Sequence, residues 1–393
     1  MTQRRPAGAS ASWLTRWLRP RRPGPAQARS LAQTGPVRRI LAVKLHDQLG
    51  DFLLATPALR ALRERYPEAR LALVTRAFLA PLATRVPLVD QVWVLPSIRR
   101  PRDLVSWFET ISAVAMFHPD LAWVLNSVSR SKTADAVAAL SRAKVVIGRS
   151  RVGAGPLPAD APDDPFESAE SEMPDPVYDL DLPVGRTSVH QVDRLLDLVR
   201  WATGDPSILR LTLEPAAAER RAARETLAQL LGGASAKIAG FHPGAANPLK
   251  CWPLESFVEL GVALAADPEP PAIVVFDSPR ERGRAAALQA GLAARGVQAA
   301  LVAAGGIERF AALCSCLSLL VGNDSGVIHV AAALGVPTLS FHSLGDPAEW
   351  APRGRRAVAL SAPGDIARIP VPAAVEAARA LLKGPPPEDE EGA

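Results

Sequence analysis

The sequence predicts an α/β protein built from two Rossmann-like halves that face each other across a cleft. Its length of 393 residues exceeds the usual size of one domain. Short apolar runs typical of buried strands alternate with helical stretches, which is the pattern of a parallel sheet wrapped by helices. The alternation stops at residues 151–189 and resumes near Leu209, so we expect two separate sheets. Ligands of such sheets bind beyond the carboxyl ends of the strands, and this places the cleft there.

The first half is predicted to span residues 37–205. Its apolar runs predict strands at residues 38–45, 69–75, 91–96, 121–126 and 144–148. A helix is predicted after the first strand, ending before Pro67, and Thr56-Pro57 either caps this helix or kinks it. Residues 151–189 are rich in Pro, Gly, Asp and Glu without a sustained period, which predicts a long loop. A helix is expected at residues 192–201.

The second half is predicted to span residues 206–383. Its strands are expected at residues 237–242, 272–277, 297–303, 317–323 and 337–342. Helices are expected at residues 253–265, 279–295 and 327–334. The two halves repeat an architecture and not a sequence.

The charge is concentrated at the two ends of the chain. Residues 1–40 carry nine arginines and no acid, whereas residues 384–393 form an acidic tail with no base. The body between them is neutral, which argues against a nucleic-acid-binding core. Trp13, Leu14, Trp17 and Leu18 repeat at helical spacing beside arginines. Residues 1–36 are therefore either a helix lying on an anionic membrane surface or a disordered leader.

Hydropathy and cysteine content indicate the cellular compartment of the protein. No apolar run reaches the roughly 18 residues needed to span a bilayer, and the N-terminus lacks the apolar segment of a signal peptide. Three cysteines form neither a disulfide framework nor a metal site. We expect a cytoplasmic protein without a bound metal, either free or peripheral at the inner face of the cytoplasmic membrane.

The first chemical motif, LHDQLGD, ends the first predicted strand. Gly50 permits a tight turn, and Asp51 falls at the start of the next helix. A carboxylate there can accept a proton from an acceptor hydroxyl, or it can simply cap the helix. His46, Asp47 and Gly50 are candidates for contacts to the acceptor.

The second motif, HPGAANPLKCW, lies between a strand and a helix. Gly244 and Ala245 let backbone amides approach a ligand, and Lys250 adds a positive charge. Together with His242 they predict a phosphate site at the end of the strand. An ordinary strand–turn–helix joint with an exposed lysine is the alternative.

The third motif, GNDSGVIH, again joins a strand to a helix. Ser325 and the amide of Gly326 suit a diphosphate, Asp324 can hold a hydroxyl of the sugar or ribose, and His329 lies one turn further on. The alternative is a well-capped helix with a packed histidine. Asp277 ends another strand and is a candidate for ribose hydroxyls.

Taken in order, these segments resemble glycosyltransferase family 9, the group that contains the lipopolysaccharide heptosyltransferases. The matching stretches are ILAVKLHDQLGDFLLATPALRALRERYPEARLALVT, SRAKVVIGRSR, GFHPGAANPLKCWPLESFVELG and LVGNDSGVIHVAAALGVPTLSF. Single loops are weak signals. The ordered set, with GD-x-x-x-x-T-P at one end and GNDSG-x-x-H at the other, is specific.

The resemblance implies a GT-B fold and transfer of a heptose-like sugar from an ADP-sugar, with inversion and without an obligatory metal or other cofactor. It implies a lipopolysaccharide-core or other cell-envelope glycan as acceptor, bound mainly by the N-terminal half. Asp51 matches the family's base and Lys250 its phosphate-binding lysine. Glu281 matches an acid near the ribose. The alternatives are a nucleotide-sugar epimerase or hydrolase of the same fold and a non-catalytic nucleotide-sugar-binding protein.

Overall fold

The computed structural model describes residues 22–46, 48–150, 177–182, 189–204, 211–233, 235–278, 283–354 and 356–384. Two predicted site residues, Asp47 and Glu281, lie outside the described residues, as do residues 1–21, with the tryptophan–leucine pattern, and residues 385–393 of the acidic tail. The chain divides into two units. Unit 1 comprises Met1–Asp47 and Ala55–Leu209, and unit 2 comprises Gln48–Leu54 and Arg210–Ala393.

Unit 1 contains a parallel sheet of six strands. They are β1 (Arg39–Val43), β2 (Arg70–Arg76), β3 (Gln91–Leu95), β4 (Leu121–Val124), β5 (Val145–Gly148) and β6 (Leu180–Asp181). The helices are α1 (Pro25–Thr34), α3 (Thr56–Arg65), α4 (Ala80–Ala83), α5 (Pro101–Phe117), α6 (Lys132–Leu140) and α7 (Gln191–Thr203), and α2 (Leu49–Leu53) belongs to unit 2. The strand order is β3-β2-β1-β4-β5-β6.

Unit 2 repeats this architecture. Its strands are β7 (Ile238–His242), β8 (Ala272–Asp277), β9 (Ala299–Ala303), β10 (Leu319–Asn323), β11 (Thr338–His342) and β12 (Ala357–Ser361). Its further helices are α8 (Ala217–Leu230), α9 (Leu254–Ala265), α10 (Arg284–Ala294), α11 (Ile307–Cys314), α12 (Gly326–Ala333), α13 (Pro347–Trp350) and α14 (Val371–Lys383). The order β9-β8-β7-β10-β11-β12 is parallel throughout.

Both sheets have the doubly wound Rossmann order, in which the chain direction across the sheet reverses between two central strands. These strands are β1 and β4 in unit 1 and β7 and β10 in unit 2. The loops after such a pair diverge and leave a crevice at the carboxyl edge, where ligands of open α/β sheets bind. The central strands are continuous apolar runs because helices cover both faces.

The core of unit 2 is centred on aromatic rings. Trp252, Phe257 and Phe341 are fully buried, and the rings of Trp252 and Phe341 lie 4.2 Å apart. Such contacts hold the loop after β7, which carries Trp252, against the end of β11.

Two segments of the first half differ from the prediction. Residues 25–34 form helix α1 against unit 1, although residues 1–36 were expected to be a membrane-surface helix or a disordered leader. Pro25 starts this helix, and Ala28 and Ala32 bury its inner side. Because that side consists of small residues, it leaves no large apolar period in the sequence. The region expected to be a long loop contains β6, and residues 151–176 and 183–188 of it lie outside the described residues.

The helix expected after the first strand is broken into α2 and α3. A proline within a helix lacks an amide hydrogen and clashes with the carbonyl four residues earlier. For Pro57 that carbonyl belongs to Leu53, where α2 ends. Pro57 itself lies in the first turn of α3, where proline is favoured. Thr56-Pro57 therefore starts a second helix and does not kink a continuous one, and α2 with Asp51 belongs to unit 2 and not to the N-terminal domain.

Candidate functional site

The second and third motifs leave the sheet of unit 2 side by side. In the parallel pair of β7 and β10, His242 is in register with Gly322, so both strands end at the same level of the carboxyl edge. The loop containing Lys250 follows β7, and Asp324 and Ser325 follow β10. These two segments therefore meet at the position where the strand order reverses.

Asn323 joins the two loops. Its buried side-chain oxygen accepts a hydrogen bond from the amide of Trp252 at 2.9 Å. Its side-chain nitrogen donates to the carbonyls of Pro243 and Gly244, at 2.9 and 3.3 Å. Both ends of the loop after β7 are thus fixed to the last residue of β10. The sequence analysis did not single out this role, because it depends on partners about 80 residues away.

We expect Asn323→Leu to lower the free energy of unfolding by about 2–4 kcal/mol, because it leaves one amide and two carbonyls without their partner. Urea denaturation of the purified protein measures this loss. Asn247→Ala is the control, since Asn247 is exposed and its side-chain oxygen accepts a local hydrogen bond from the amide of Leu249 at 3.0 Å. The control should cost no more than about 1 kcal/mol, and an equal loss in both variants would contradict the role assigned to Asn323.

Lys250 and Asp324 form an ion pair across the two loops. The Lys250 Nζ lies 2.5 Å from Oδ2 of Asp324, with side-chain exposures of 30% and 9%. The other carboxylate oxygen faces Nδ1 of His342 at 4.0 Å. Burial, together with the charge of Lys250, lowers the pKa of His342 against the opposing effect of Asp324, so this imidazole is neutral near pH 7. The ion pair with Asp324 fixes the position of the Lys250 side chain. Its ammonium group has three donors and can still donate a hydrogen bond to a ligand.

Ser325 precedes the first turn of α12 but does not cap it through its side chain. Its Oγ is buried and makes no hydrogen bond to any described residue. The first amides of a helix have no acceptor within the helix, and the positive end of the dipole favours an anion. The alternative of a helix capped by this side chain is therefore not observed, and binding of a diphosphate here stays a prediction.

Helix α2 packs directly on α12. A Cβ atom placed on Gly326 would lie 2.7 Å from Cβ of Leu49, and one placed on Gly50 would lie 2.9 Å from Cδ2 of His329. A side chain at Gly326 would therefore collide with Leu49, and one at Gly50 with the ring of His329. Gly50 and His329 pack against each other, and their predicted contacts to acceptor and donor stay predictions.

Asp51 is the next residue in α2, 5% exposed, in the first turn. The residue that precedes the helix is Gln48, and Asp51 is not its N-cap. Because α2 packs on α12, the carboxylate of Asp51 and the turn that contains Ser325 belong to the same unit.

His242 is placed differently from the expectation. Its ring is 2% exposed and lies edge-on to Phe310, with 6.2 Å between ring centroids. Burial lowers the pKa of His242 to about 4, and hydrogen bonds to backbone carbonyls, including that of Gly244, offset this only in part. The neutral, enclosed imidazole packs the end of β7 and is not a charged phosphate ligand.

This histidine should make stability depend on pH. Because its pKa is about 4 when folded and about 6.5 when unfolded, only the unfolded chain gains the proton between those values. Its stabilising contribution is complete above about pH 6.5 and declines as the pH falls, by about 2 kcal/mol between pH 7 and pH 5. Urea unfolding at both pH values should show a smaller decrease for His242→Gln than for the wild type. Equal decreases would contradict the assignment.

Two charged residues flank the loop after β7. Arg284 donates to the carbonyls of Pro243 and Trp252, both at 3.0 Å. It therefore fixes the loop from a second side. Asp277, partly buried, ends β8 next to β7 at the same carboxyl edge. Its assignment to ribose hydroxyls stays a prediction, as does that of Glu281.

Unit 1 carries a second polar cluster at its carboxyl edge, which the sequence analysis missed. Lys44, Thr75 and Asn126 lie at the ends of the neighbouring strands β1, β2 and β4, and each is at most 1% exposed. The Nζ of Lys44 donates to the carbonyl of Leu125 at 3.1 Å. Neither amide atom of Asn126 bonds to a described residue. A polar residue at the end of a buried strand was the signal that could have identified them.

His46 belongs to the same edge of unit 1. Its Nε2 lies 3.1 Å from Oγ of Ser129, in the loop after β4, so the loops of the two central strands are connected. Its role toward an acceptor stays a prediction. Among the described residues, no group of three or more His, Cys, Asp or Glu side chains is arranged to hold a metal ion, and Cys251, Cys314 and Cys316 form no disulfide bond with one another. None of the described helices combines the length and apolar composition of a bilayer-spanning segment.

Comparison with known proteins relates most of unit 2 to one enzyme family. Residues 175–368 match the sequence profile of glycosyltransferase family 9 (heptosyltransferase). No protein among curated sequences is significantly similar to the chain.

Solved structures show the same fold. A family 9 glycosyl transferase from Veillonella parvula superposes with a TM-score of 0.71 at 20% identity, over 89% of this chain and 98% of that chain. ADP-heptose LPS heptosyltransferase II of E. coli has a TM-score of 0.64 at 20% identity, over 88% and 98% of the two chains. The E. coli heptosyltransferase WaaC with ADP has a TM-score of 0.65 at 20% identity, over 87% and 99%. The predicted α/β fold of the GT-B type is thereby confirmed.

Proposed function

Because the chain contains a glycosyltransferase family 9 domain and is a glycosyltransferase, we propose that it transfers a heptose-like sugar, with inversion, from a nucleoside diphosphate donor to a glycan. The observation that carries the proposal is the buried Ser325 hydroxyl at the N-terminus of α12, which bonds to none of the described residues, with Asp51 on the helix that packs there. Donor site and base thus belong to one unit.

The donor is proposed to be an ADP-heptose-like sugar. Two E. coli heptosyltransferase WaaC structures are described with ADP and with ADP-2-deoxy-2-fluoro heptose, and both share the fold of this chain. In unit 2 the diphosphate would be held by Ser325, by the first amides of α12 and by Lys250. Asp277 would hold the ribose hydroxyls, and Glu281, outside the described residues, is assigned to the same role from the sequence alone.

The proposed reaction is a single displacement at the anomeric carbon. The carboxylate of Asp51 accepts the proton of the acceptor hydroxyl while its oxygen forms the new bond to that carbon. The bond between the carbon and the diphosphate oxygen breaks, and its electron pair leaves with the nucleoside diphosphate. Lys250 and the dipole of α12 stabilise the negative charge that develops on this leaving group. Attack from the face opposite the leaving group inverts the configuration.

The acceptor is proposed to be a lipopolysaccharide-core or other cell-envelope glycan, at the cytoplasmic face of the membrane. The E. coli enzyme named for lipopolysaccharide supports this class through its shared fold. In unit 1, the amide of Asn126 and the ring of His46 lie at the carboxyl edge, where hydroxyl groups can be bound. The amide of Asn126 and the imidazole of His46 can each bond to a hydroxyl group, as recognition of a sugar requires.

A panel of nucleotide-sugars, each incubated with and without a glycolipid extract, tests the proposal through the release of nucleoside diphosphate. A transferase releases it in proportion to the acceptor added. An epimerase or hydrolase would consume the donor equally well without acceptor, and a binding protein would retain the donor unchanged. Either of the last two results would overturn the proposed function.

A further inference from the structure

We propose that one side of helix α5, with the loop before it, docks onto an anionic phospholipid membrane. This surface, called here the α5 face, consists of Ile98, Val105 and Phe108 together with Arg99, Arg100 and Arg102. It lies in unit 1, and its proposed role goes beyond the transfer reaction proposed above.

The apolar part of the α5 face is largely exposed, although the ring of Phe108 lies edge-on to that of the neighbouring Trp107, with 5.4 Å between ring centroids. Helix α5 buries its inner side through Ile111, Val114 and Phe117. A surface helix normally presents polar residues opposite such a side. Here Val105 and Phe108 are 60% and 61% exposed, and the preceding loop adds Ile98 at 53%. Large apolar side chains grouped in this way usually mark an interaction site.

The basic part adjoins the apolar part at the start of the helix. Arg99 and Arg100 precede Pro101, and Arg102 lies in the first turn, all exposed. Cations at a helix N-terminus oppose the macrodipole, so these arginines do not stabilise α5. Two acids belong to the same stretch. Asp103 accepts hydrogen bonds from the amides of Arg99 and Arg100 at 2.9 and 2.8 Å, which directs its charge to the helix terminus. Glu109, one turn after Val105, is exposed, and the three arginines still leave the surface with a net positive charge.

The charge and composition of the α5 face indicate which partner can bind to it. A second copy of the chain would bring a second cluster of three arginines against the first, and residues 1–21 carry further arginines and no acid. Residues 384–393 are acidic but have no large apolar side chain to cover Val105 and Phe108. A bilayer with anionic lipids supplies both a negative surface for the arginines and an apolar boundary for the side chains beside them.

The position of the α5 face within unit 1 also suits binding to a membrane. Ile98 and the arginines follow β3, and Phe78, 48% exposed, follows the neighbouring strand β2 at the same carboxyl edge. This edge also carries His46 and Asn126. Docking through the α5 face would therefore bring the proposed acceptor loops toward the membrane that contains a lipid-linked glycan.

Flotation of the full-length protein with vesicles tests the proposal in the absence of any nucleotide-sugar or glycolipid. Vesicles of equal parts phosphatidylglycerol and phosphatidylcholine should bind the wild type, and vesicles of phosphatidylcholine alone should not. The combined variant R99Q/R100Q/R102Q should bind the anionic vesicles roughly 100-fold more weakly, since each basic residue contributes about fivefold. The variant V105S/F108S should also bind more weakly and should retain its sensitivity to salt.

The matched control R221Q/R295Q/R368Q removes three exposed arginines of unit 2 and should bind like the wild type. R16Q/R19Q/R21Q asks whether the N-terminal segment acts instead. Wild-type binding by both α5-face variants would overturn the proposal, whatever the N-terminal variant does. A change in oligomeric state of V105S/F108S by sedimentation velocity, with unchanged vesicle binding, would assign the surface to a second copy and also overturn it. Neither result would bear on sugar transfer in solution.

Discussion

Asp51→Asn is expected to reduce kcat by about 10²- to 10⁴-fold while the nucleoside diphosphate binds as tightly as to the wild type. The amide keeps the shape of the side chain but cannot accept the proton of the acceptor hydroxyl. Because Asp51 is buried in α2 and that helix packs on α12, the substitution should leave the donor-binding turn in place. Steady-state kinetics with saturating donor and isothermal titration with ADP measure the two quantities separately.

The competing role for Asp51 is purely structural. A carboxylate in the first turn of a helix contributes about 0.3–1 kcal/mol through the dipole, so that role predicts a lower unfolding temperature with an unchanged rate. Glu225→Gln is a suitable control, since Glu225 is an exposed acid on α8 of the same unit. Transfer by Asp51→Asn at the rate of this control would rule out the general-base assignment.

Lys250→Met is expected to have the second largest effect. The loss of a charged donor to the diphosphate should weaken ADP binding by roughly 10- to 100-fold. It should also lower kcat by about 10²-fold or more, because charge develops on the leaving group as the bond breaks. Stability should fall as well, since Asp324 is only 9% exposed and loses its partner at 2.5 Å.

A double variant separates the two effects of Lys250. Lys250→Met with Asp324→Asn removes the unpaired charge and should recover most of the lost stability but not the activity. Lys237→Met is the matched control, because Lys237 pairs with the exposed Glu269 at 2.9 Å in the same unit and should have little effect on either quantity. Recovery of activity in the double variant would show that Lys250 only holds the loop.

The fold could be predicted largely from local patterns. Buried parallel strands are nearly continuous apolar runs, so ten of the strands are visible in the sequence within a few residues of their bounds. The strands that escaped, β6 and β12, lie at sheet edges, where burial is incomplete and the apolar run is short or partly exposed. Helix α1 escaped because Ala28 and Ala32 bury it without large side chains.

The site was predictable in its position but not in its internal bonding. The motifs around Lys250 and Ser325 can be recognised because each follows a strand and precedes a helix. That Asp324 holds Lys250, and that Asn323 holds both ends of the loop after β7, depends on partners more than 70 residues apart in the chain. No local pattern encodes such pairs. Likewise His242 reads as a polar strand end, and only the packing of Phe310 reveals that it is enclosed.

The most direct test of the account is a crystal structure of the protein with ADP. We expect the diphosphate at the N-terminus of α12, within hydrogen-bonding distance of Oγ of Ser325 and of Nζ of Lys250, with the carboxylate of Asp51 facing the position of the sugar. A diphosphate bound away from these two side chains, or with Asp51 turned away from it, would contradict the proposed donor site and mechanism.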